Sequence, residues 1–423
     1  MMTLRKSILW GATALLLTAT SASAQERLVI SGGTVHPVAG ESYQGTIVIE
    51  DGKIVAAGPN LSAPTGAKTI DATGLHIYPG LFDAASNLGL VEVGAIEVMN
   101  DSRELGGYTP HLQARTAIHP AGEHLPVTRA NGITHALSIP LGTPGFAGQG
   151  TIFNLAGWTI EEMEIEPAAV MVMVWPTLQQ RGGFFMGGQS SARSRRENYD
   201  RTVAQIAEWL KAAREYDRVI GSGAEIPPDL RLEALARVTR GELPVLARVE
   251  YEDEIRDIVA FAEEEGIRLI LAGAREGYRV ADLLAEKGVP VILGPTQSLP
   301  VTPDRPYDEA YTNPGLLHAA GVEIAFGSFG SAYSRTLPYE AAMGIPYGLP
   351  TEVALRAITI NPAQIFGLGD QLGTIEPGKI ANLIVTDGDP LEIQTQIRHL
   401  IIAGQETSTM NKHEELYQRY KAR

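Results

Sequence analysis

Apolar residues in the middle of the chain occur first as short runs and then at helical spacing. Residues 245–249 form a mostly apolar run, and residues 253–265 follow with a mostly apolar helical face that ends at Gly266. The same order recurs at residues 268–271 and 278–287. A strand, a helix and another strand at this spacing predict parallel βαβ units. Two further strands are predicted at residues 289–294 and 322–327.

The two ends of the chain have a different pattern, in which short β runs alternate with turns. Residues 46–50 lead through Asp51-Gly52 into residues 53–58, a sequence that is typical of a tight hairpin. Matching runs at residues 382–386 and 397–402 lie near the other end. Because a short sheet needs a partner to cover its apolar face, we expect both ends to build one composite β-domain.

The first 24 residues form a separate segment. Arg5 and Lys6 precede an apolar run over residues 8–17, and Ala22-Ser23-Ala24 has the small-residue pattern of a cleavage site. We therefore expect a secretory signal peptide that is cleaved between Ala24 and Gln25, and a periplasmic or secreted protein. The apolar run is too short for a comfortable membrane span, and none is expected elsewhere.

Charge and cysteine content exclude several kinds of partner and site. The chain carries 34 basic and 49 acidic residues, which gives a formal net charge of −15. It therefore has no general electrostatic attraction to nucleic acid or anionic lipid, and a small-molecule ligand is left open as a partner. It contains no cysteine, which excludes disulfides and thiolate metal sites.

The run from Pro79 to Asn87 resembles the first barrel strand of the amidohydrolase superfamily, the metal-dependent hydrolases related to imidazolonepropionase. Further segments similar to the family follow its order at residues 54–58, 70–74, 130–134, 359–363 and 376–383. Periodicity alone also allows a doubly wound open sheet, but the resemblance implies an α/β fold with a TIM-like (β/α)8 barrel at residues 79–369. A small β-sandwich would combine residues 25–78 with residues 370–423, which also hold a C-terminal helix.

The resemblance implies where the metal ligands of such an enzyme lie. In the family, histidines or related ligands on strands one, five and six and an aspartate on strand eight hold one or two divalent metals, usually zinc. The residues at these positions here are Ala85, Asn87, Arg248, Glu250, Ala272 and Phe329. Alanine and phenylalanine offer no donor atom, and Arg248 would repel a cation. We therefore expect no metal cofactor.

Two interpretations follow from this substitution. The first is a pseudoenzyme that has lost the family reaction, hydrolysis of non-peptide C–N bonds in cyclic amides and related compounds, and that binds a ligand instead. The second is an active C–N hydrolase with a relocated or metal-independent site, for example with Asp83 and Glu250 around a relocated metal. The resemblance also implies a homodimer, and a pairing with an active relative fits the first interpretation.

Arg248 and Glu250 are the main candidates for a replacement site, and Asp83 is a third candidate catalytic residue. Residues i and i+2 of a strand share a face, so both side chains are expected at the barrel mouth if that face points inward. Arg248 is suited to a carboxylate or a polarised carbonyl, and Glu250 to an amine or to the role of a base. A plain ion pair that fills the vacated space is the alternative. Arg275 and Glu276 form a weaker candidate pair.

Two segments resemble insertions. Residues 91–126 contain His111, His119 and His124, which is a second place for a metal although their spacing fits no helix face. Residues 179–196 are glycine-rich, with exposed apolar side chains and three arginines, and predict either a lid over a ligand or a disordered loop. The three arginines of this second segment are Arg193, Arg195 and Arg196.

His135, on the second barrel strand, is expected to be packed and hydrogen-bonded rather than a metal ligand.

Overall fold

The computed structural model describes residues 27–104, 106, 108–179, 191–300 and 305–423. The predicted signal peptide and the glycine-rich part of the second insertion lie outside these residues. The strands are β1 (Arg27–Val35), β2 (Tyr43–Glu50), β3 (Lys53–Gly58), β4 (Lys68–Asp71), β5 (His76–Pro79), β6 (Leu81–Ser86), β7 (Ile133–Ser138), β8 (Gly145–Asn154), β9 (Glu164–Val174), β10 (Val245–Val249), β11 (Leu269–Gly273), β12 (Val291–Leu293), β13 (Ile324–Phe326), β14 (Leu383–Thr386), β15 (Ile397–Ile402) and β16 (Gln405–Thr407).

The helices connect the strands of the middle region and extend the carboxyl-terminal end. They are α1 (His124–Arg129), α2 (Ile160–Met163), α3 (Ala192–Gly221), α4 (Leu230–Thr239), α5 (Glu252–Glu265), α6 (Ala281–Lys287), α7 (Glu309–Ala319), α8 (Leu337–Ala342), α9 (Thr351–Arg356), α10 (Ile360–Ile365) and α11 (Lys412–Tyr420). Short 3-10 turns occur at Glu97–Met99, Ala114–Thr116, Gly277–Val280, Ser334–Thr336 and Ile345–Tyr347. No helix in the described part of the chain is both long and apolar enough to cross a membrane.

Strands from both ends of the chain share one sheet. Its order is β16-β15-β14-β5-β1-β2-β3, with β4 paired to β1, and β14 joins the two ends by antiparallel pairing with β5. The expected sandwich is thus one continuously hydrogen-bonded sheet. Its apolar side chains form a core of their own that includes Ile30, Ile47, Ile77, Leu383 and Ile401.

The middle of the chain forms the predicted TIM-like barrel, with one reversed strand. Its eight strands follow the order β13-β12-β11-β10-β9-β8-β7-β6. The pairs from β9 to β13 are parallel, as is β6 with β7, whereas β8 runs antiparallel to both of its neighbours. Only residues 139–144 connect β7 to β8, and so short a connection cannot return the chain to the start of a parallel strand.

The first and last barrel strands meet at a seam between Ala85 and the segment that follows β13. The backbone N–H of Phe329 donates to the carbonyl oxygen of Ala85 at 2.8 Å. Gly327 lies so close to Ala85 that a Cβ on it would stand 2.8 Å from the Ala85 backbone nitrogen and 2.8 Å from its Cβ. The absence of a side chain at Gly327 therefore allows this close contact.

The observed elements differ from the predicted ones mainly at their ends. The stretch 278–287, predicted as one helix, begins with a 3-10 turn, and the α-helix starts only at Ala281. The second insertion is shorter than predicted, because α3 begins at Ala192 and the hydroxyl of Ser191 accepts from the Ser194 N–H at its start. The prediction that placed Arg193, Arg195 and Arg196 in a loop was therefore wrong, since this helix includes all three.

Candidate functional site

A cavity of about 160 Å³ lies at the carboxyl ends of β10 to β13. Each of these strands, or the loop directly after it, contributes to its wall, as is usual for the mouth of a barrel. Arg248 and Glu250 line the cavity together, and Arg275 from the loop after β11 lies beside them. The other lining residues are Gly273, Leu293, Gly294, Pro295, Thr296, Ser298, Ala310, Asn313, Pro314 and Phe329.

The carboxylate of Glu250 is only partly satisfied. Its Oε2 is buried and makes no hydrogen bond to any described residue, and the Nε of Arg275 lies 3.9 Å from it. Burial raises the pKa of the Glu250 carboxyl above its usual value, and the charges of Arg275 and Arg248 act in the opposite direction. A buried acceptor without a donor is unfavourable, so Oε2 is suited to a ligand that brings an N–H or O–H group.

Gly273 allows Glu250 to sit where it does. A Cβ on Gly273 would lie 2.6 Å from Oε1 of Glu250, closer than real Cβ contacts. The φ of Gly273 is +98°, which a residue with a side chain rarely adopts. The end of β11 thus provides a flat surface against which the Glu250 carboxylate packs.

Arg248 and Phe329, at two positions where the resemblance implies metal ligands, lie close together in the structure. The Arg248 guanidinium carbon lies 5.8 Å from the centre of the Phe329 ring, within the range of a cation–π contact. Phe329 has a φ of +52°, a left-handed conformation that is uncommon for a bulky residue. Its backbone N–H donates to Ala85 in the seam, and Phe329 lines the cavity. Strained residues of this kind concentrate at functional sites.

The donor atoms at the substituted positions do not fit a metal ion. Ala85 and Ala272 are buried in the barrel wall, and the amide nitrogen of Asn87 is engaged by the carbonyl oxygen of Ile139 at 2.8 Å. A structural or catalytic zinc needs three or four N, O or S ligands that converge on one point. The described residues contain no group of three or more histidine, aspartate or glutamate side chains in such an arrangement.

Asp83 is fully buried and lies in the seam rather than in the cavity wall. Its carboxylate accepts four hydrogen bonds: from the Ala85 N–H at 3.3 Å, the Ser328 N–H at 3.0 Å, and the hydroxyls of Ser328 and Ser334 at 2.6 Å each. Burial raises the pKa of Asp83 to about 6, although these hydrogen bonds act in the opposite direction. The residue thus ties β6 to the chain after β13, a structural role.

Four hydrogen bonds hold the wall of the cavity, and sequence reasoning did not identify the residues involved. The Thr296 hydroxyl donates to the carbonyl oxygen and to Oε2 of Glu340 at 2.8 and 3.0 Å, and the Gln297 N–H donates to the same Oε2 at 2.9 Å. The amide of Asn313 donates to the Ala274 carbonyl oxygen at 3.0 Å. Thr296 and Gln297 lie in the loop after β12, Asn313 lies in α7 and Glu340 in α8, and no periodic pattern distinguishes them.

The histidines lie away from this cavity. His135 is buried against Phe82, with ring centres 4.4 Å apart, and its Nδ1 is within 2.7 Å of the Thr134 hydroxyl. Burial lowers the pKa of His135 to about 3, so the ring is neutral. In the first insertion, Nε2 of His124 contacts the Glu92 carbonyl oxygen at 2.9 Å. His111 and His119 join no metal-binding group within the described ranges.

Comparisons with known proteins agree with this architecture. A family model described as the amidohydrolase family matches residues 280–412. A 5-methylthioadenosine/S-adenosylhomocysteine deaminase from Symbiobacterium thermophilum is 26% identical over 412 residues, covering 86% of each chain. An imidazolonepropionase from a Geobacillus species is 25% identical over 398 residues, covering 86% of this chain and 90% of the relative.

One relative is much longer than this chain, and a solved structure matches almost throughout. Amidohydrolase tasK from Hapsidospora irregularis is 23% identical over 382 residues, and the match spans 83% of this chain but only 38% of that relative. The crystal structure of an amidohydrolase from Thermotoga maritima superposes with a TM-score of 0.79 at 26% identity, covering 90% of this chain and 99% of that one.

Proposed function

Because the chain belongs to the amidohydrolase superfamily, we propose that it is a ligand-binding member in which the family's metal-dependent hydrolysis has been lost. The observation that supports this most directly is the pair Arg248 and Phe329, which stands where a metal centre would be built. A metal in this family lowers the pKa of a bound water and polarises the carbonyl. Neither a guanidinium nor an aromatic ring substitutes for that chemistry.

The charges of the cavity indicate the class of ligand. Arg248 and Arg275 supply two guanidinium groups against the single carboxylate of Glu250. Guanidinium groups match the planar, bidentate geometry of a carboxylate. The unpartnered Oε2 of Glu250 calls for a donor. A small carboxylate that also carries an ammonium or amide N–H satisfies both groups, and a simple α-amino acid is the smallest such molecule.

The proposal is tested by titration calorimetry with L-alanine as the probe. Wild-type protein should bind it, and Arg248→Ala or Glu250→Ala should abolish binding while thermal unfolding stays cooperative. The exposed pair Arg193 and Glu197 on α3 offers a matched control of the same residue types, since their ion pair lies on the surface. Binding that is absent in wild type, or unchanged in both cavity variants, would contradict the proposal.

Hydrolysis of a C–N bond is the second candidate, favoured by relatives that are named as a deaminase and an imidazolonepropionase and that match most of the chain. The two candidates differ in metal content. After dialysis without chelator, the expected mature chain, residues 25–423, should contain no stoichiometric transition metal if it only binds a ligand. About one metal ion per chain, together with turnover of a cyclic amide that a chelator abolishes, would establish the second candidate instead.

Export belongs to the same proposal and is supported by the sequence of the first 24 residues alone. Expression of the full chain in a Gram-negative host, followed by mass spectrometry of the periplasmic fraction, should recover a protein that begins at Gln25. Full-length protein confined to the cytoplasm would contradict export without affecting the ligand proposal.

A further inference from the structure

We propose that the ligand of the barrel-mouth cavity carries an apolar arm that lies in a neighbouring groove, so that the natural ligands are large hydrophobic amino acids or closely related compounds. This inference rests on the proposed function and adds the class of side chain to it. The groove has a volume of about 600 Å³ and lies between the loop after β12, α7, α8 and the chain after β14. Its apolar wall includes Leu299, Tyr311, Met343, Leu391 and Ile393.

The cavity and the groove adjoin at Ser298, which lines both. The segment before it forms the partition: Thr296 faces the cavity and Gln297 faces the groove. Glu340 holds this partition in place through the Thr296 hydroxyl and the Gln297 N–H, and its side chain is buried. The partition is thus fixed up to Gln297, and a ligand would pass from cavity to groove at Ser298.

Size is the reason why the cavity holds only the head of such a ligand. Its volume of about 160 Å³ is close to that of an engineered apolar cavity of about 150 Å³ that binds benzene. L-Alanine has about the size of benzene and fills this space with its carboxylate, ammonium and methyl groups. A longer side chain has to leave the cavity, and the adjoining groove offers it an apolar surface.

The groove presents apolar side chains that a ligand arm would cover. Leu299 is 86% exposed and Ile393 is 72% exposed, and they belong to the wall of the same groove. The hydroxyl of Tyr339, which also lines the groove, donates to Oδ1 of Asn131 at 3.2 Å. Glu392 is the charged residue of the groove, and its sign disfavours a second carboxylate on the arm. An aromatic or branched aliphatic arm therefore fits this surface best.

The experiment compares L-alanine, L-phenylalanine and L-biphenylalanine, which share one head group and differ in the length of the arm. We expect affinity to rise along this series by about tenfold or more, because a ring that leaves water contributes roughly what burial of a core side chain does. In the double variant Leu299→Ser and Ile393→Ser, this gain should be lost while L-alanine binds as before. Ile220→Ser, at a residue 45% exposed on α3, is the control for loss of an exposed apolar side chain.

The outcomes separate this inference from the proposed function. If L-alanine binds and the longer ligands bind no more tightly, the groove is not part of the site, whereas the ligand-binding function stands. The same conclusion follows if the double variant keeps the full gain. If none of the three ligands binds wild-type protein in which unfolding is cooperative, the proposed function itself fails, and this inference fails with it.

Discussion

The guanidinium carbon of Arg248 lies 5.8 Å from the centre of the Phe329 ring. Arg248 belongs to β10 and Phe329 follows β13, so the two residues are far apart in sequence. Both occupy positions at which the superfamily resemblance implies metal ligands. The barrel mouth therefore keeps a positive charge at this place, but the charge is attached to the protein and cannot bind or activate water as a metal does. A fixed positive charge at these positions is consistent with the anion binding proposed above.

Replacing Phe329 tests how much this contact contributes. Phe329→Ala should destabilise the fold by about 1–3 kcal/mol, because it removes the cation–π contact and a half-buried ring. Phe329→Gly makes the same deletion but relieves the left-handed backbone at φ +52°. The glycine variant should therefore be about 1 kcal/mol more stable than the alanine variant in urea denaturation. Equal stability of the two variants would show that this backbone conformation carries no strain.

Adding a methyl group at Gly273 should remove ligand binding. The new Cβ in Gly273→Ala would lie 2.6 Å from Oε1 of Glu250, so the carboxylate has to move. Because Gly273 has a positive φ, an alanine there also costs about 1 kcal/mol or more of folding stability. Gly266→Ala, after α5, is the matched control, since Gly266 also has a positive φ but has open space around it. Calorimetry should show loss of L-alanine binding only in the first variant, and retained binding there would place Glu250 outside the ligand site.

Asp83 should make the stability of the protein depend on pH. Its pKa in the folded state is about 6, above the usual value, so the native protein holds this proton more tightly than the unfolded chain does. The contribution to stability is fully present below about pH 4 and is lost as the pH rises towards 6, by up to about 3 kcal/mol. In Asp83→Asn, the amide oxygen still accepts from the two backbone N–H groups, and the serine hydroxyls can accept from the amide nitrogen.

Urea denaturation at a series of pH values provides the measurement. Wild-type protein should lose stability relative to Asp83→Asn as the pH rises from about 4 to 6. Asp71→Asn is the control with the opposite sign, because hydrogen bonds from Thr73 lower the pKa of that exposed carboxyl. If wild-type protein instead gained stability relative to Asp83→Asn over this interval, the four hydrogen bonds would outweigh the burial of Asp83.

The pattern along the chain is sufficient for the strands and helices because these signals are local, whereas the choice of a barrel over an open sheet came from the superfamily resemblance. The apolar runs and helical faces between residues 245 and 293 correspond to β10, α5, β11, α6 and β12, with ends displaced by a few residues. The i and i+2 relation of Arg248 and Glu250 is also local, and both line the cavity. Such patterns do not indicate the direction of β8. That direction follows from the connection between β7 and β8, which is too short to contain a helix.

The contacts that complete the site are not local, and no pattern in the sequence indicates them. Ser328 reaches Asp83 across 245 positions of the chain, and Thr296 reaches Glu340 across 44. Such contacts depend on how the barrel closes and on how α7 and α8 pack outside it. The metal positions were accessible only through the resemblance, because alanine and phenylalanine at strand ends otherwise indicate ordinary packing.

Closure of the barrel provides the sharpest test of the seam. Gly327→Ala would place a Cβ 2.8 Å from the Ala85 backbone nitrogen and 2.9 Å from its carbonyl oxygen, and backbone atoms cannot move aside as a flexible side chain can. We expect a loss of about 2 kcal/mol or more in urea denaturation, because overpacking forces the two strands apart. The hydrogen bond from Phe329 to Ala85 should weaken as well, since it lies two residues away on the same segment.

This seam test has its own control and a functional consequence. Gly221, at the end of α3, has open space around it, so Gly221→Ala should be neutral or stabilising by up to about 1 kcal/mol. Because Phe329 is positioned by the seam, Gly327→Ala should also weaken L-alanine binding in the fraction that remains folded, whereas Gly221→Ala should not. If Gly327→Ala kept wild-type stability and affinity, Gly327 and Ala85 would have to lie farther apart than the 2.8 Å distances indicate. The Arg248–Phe329 pair would then be held by other parts of the barrel.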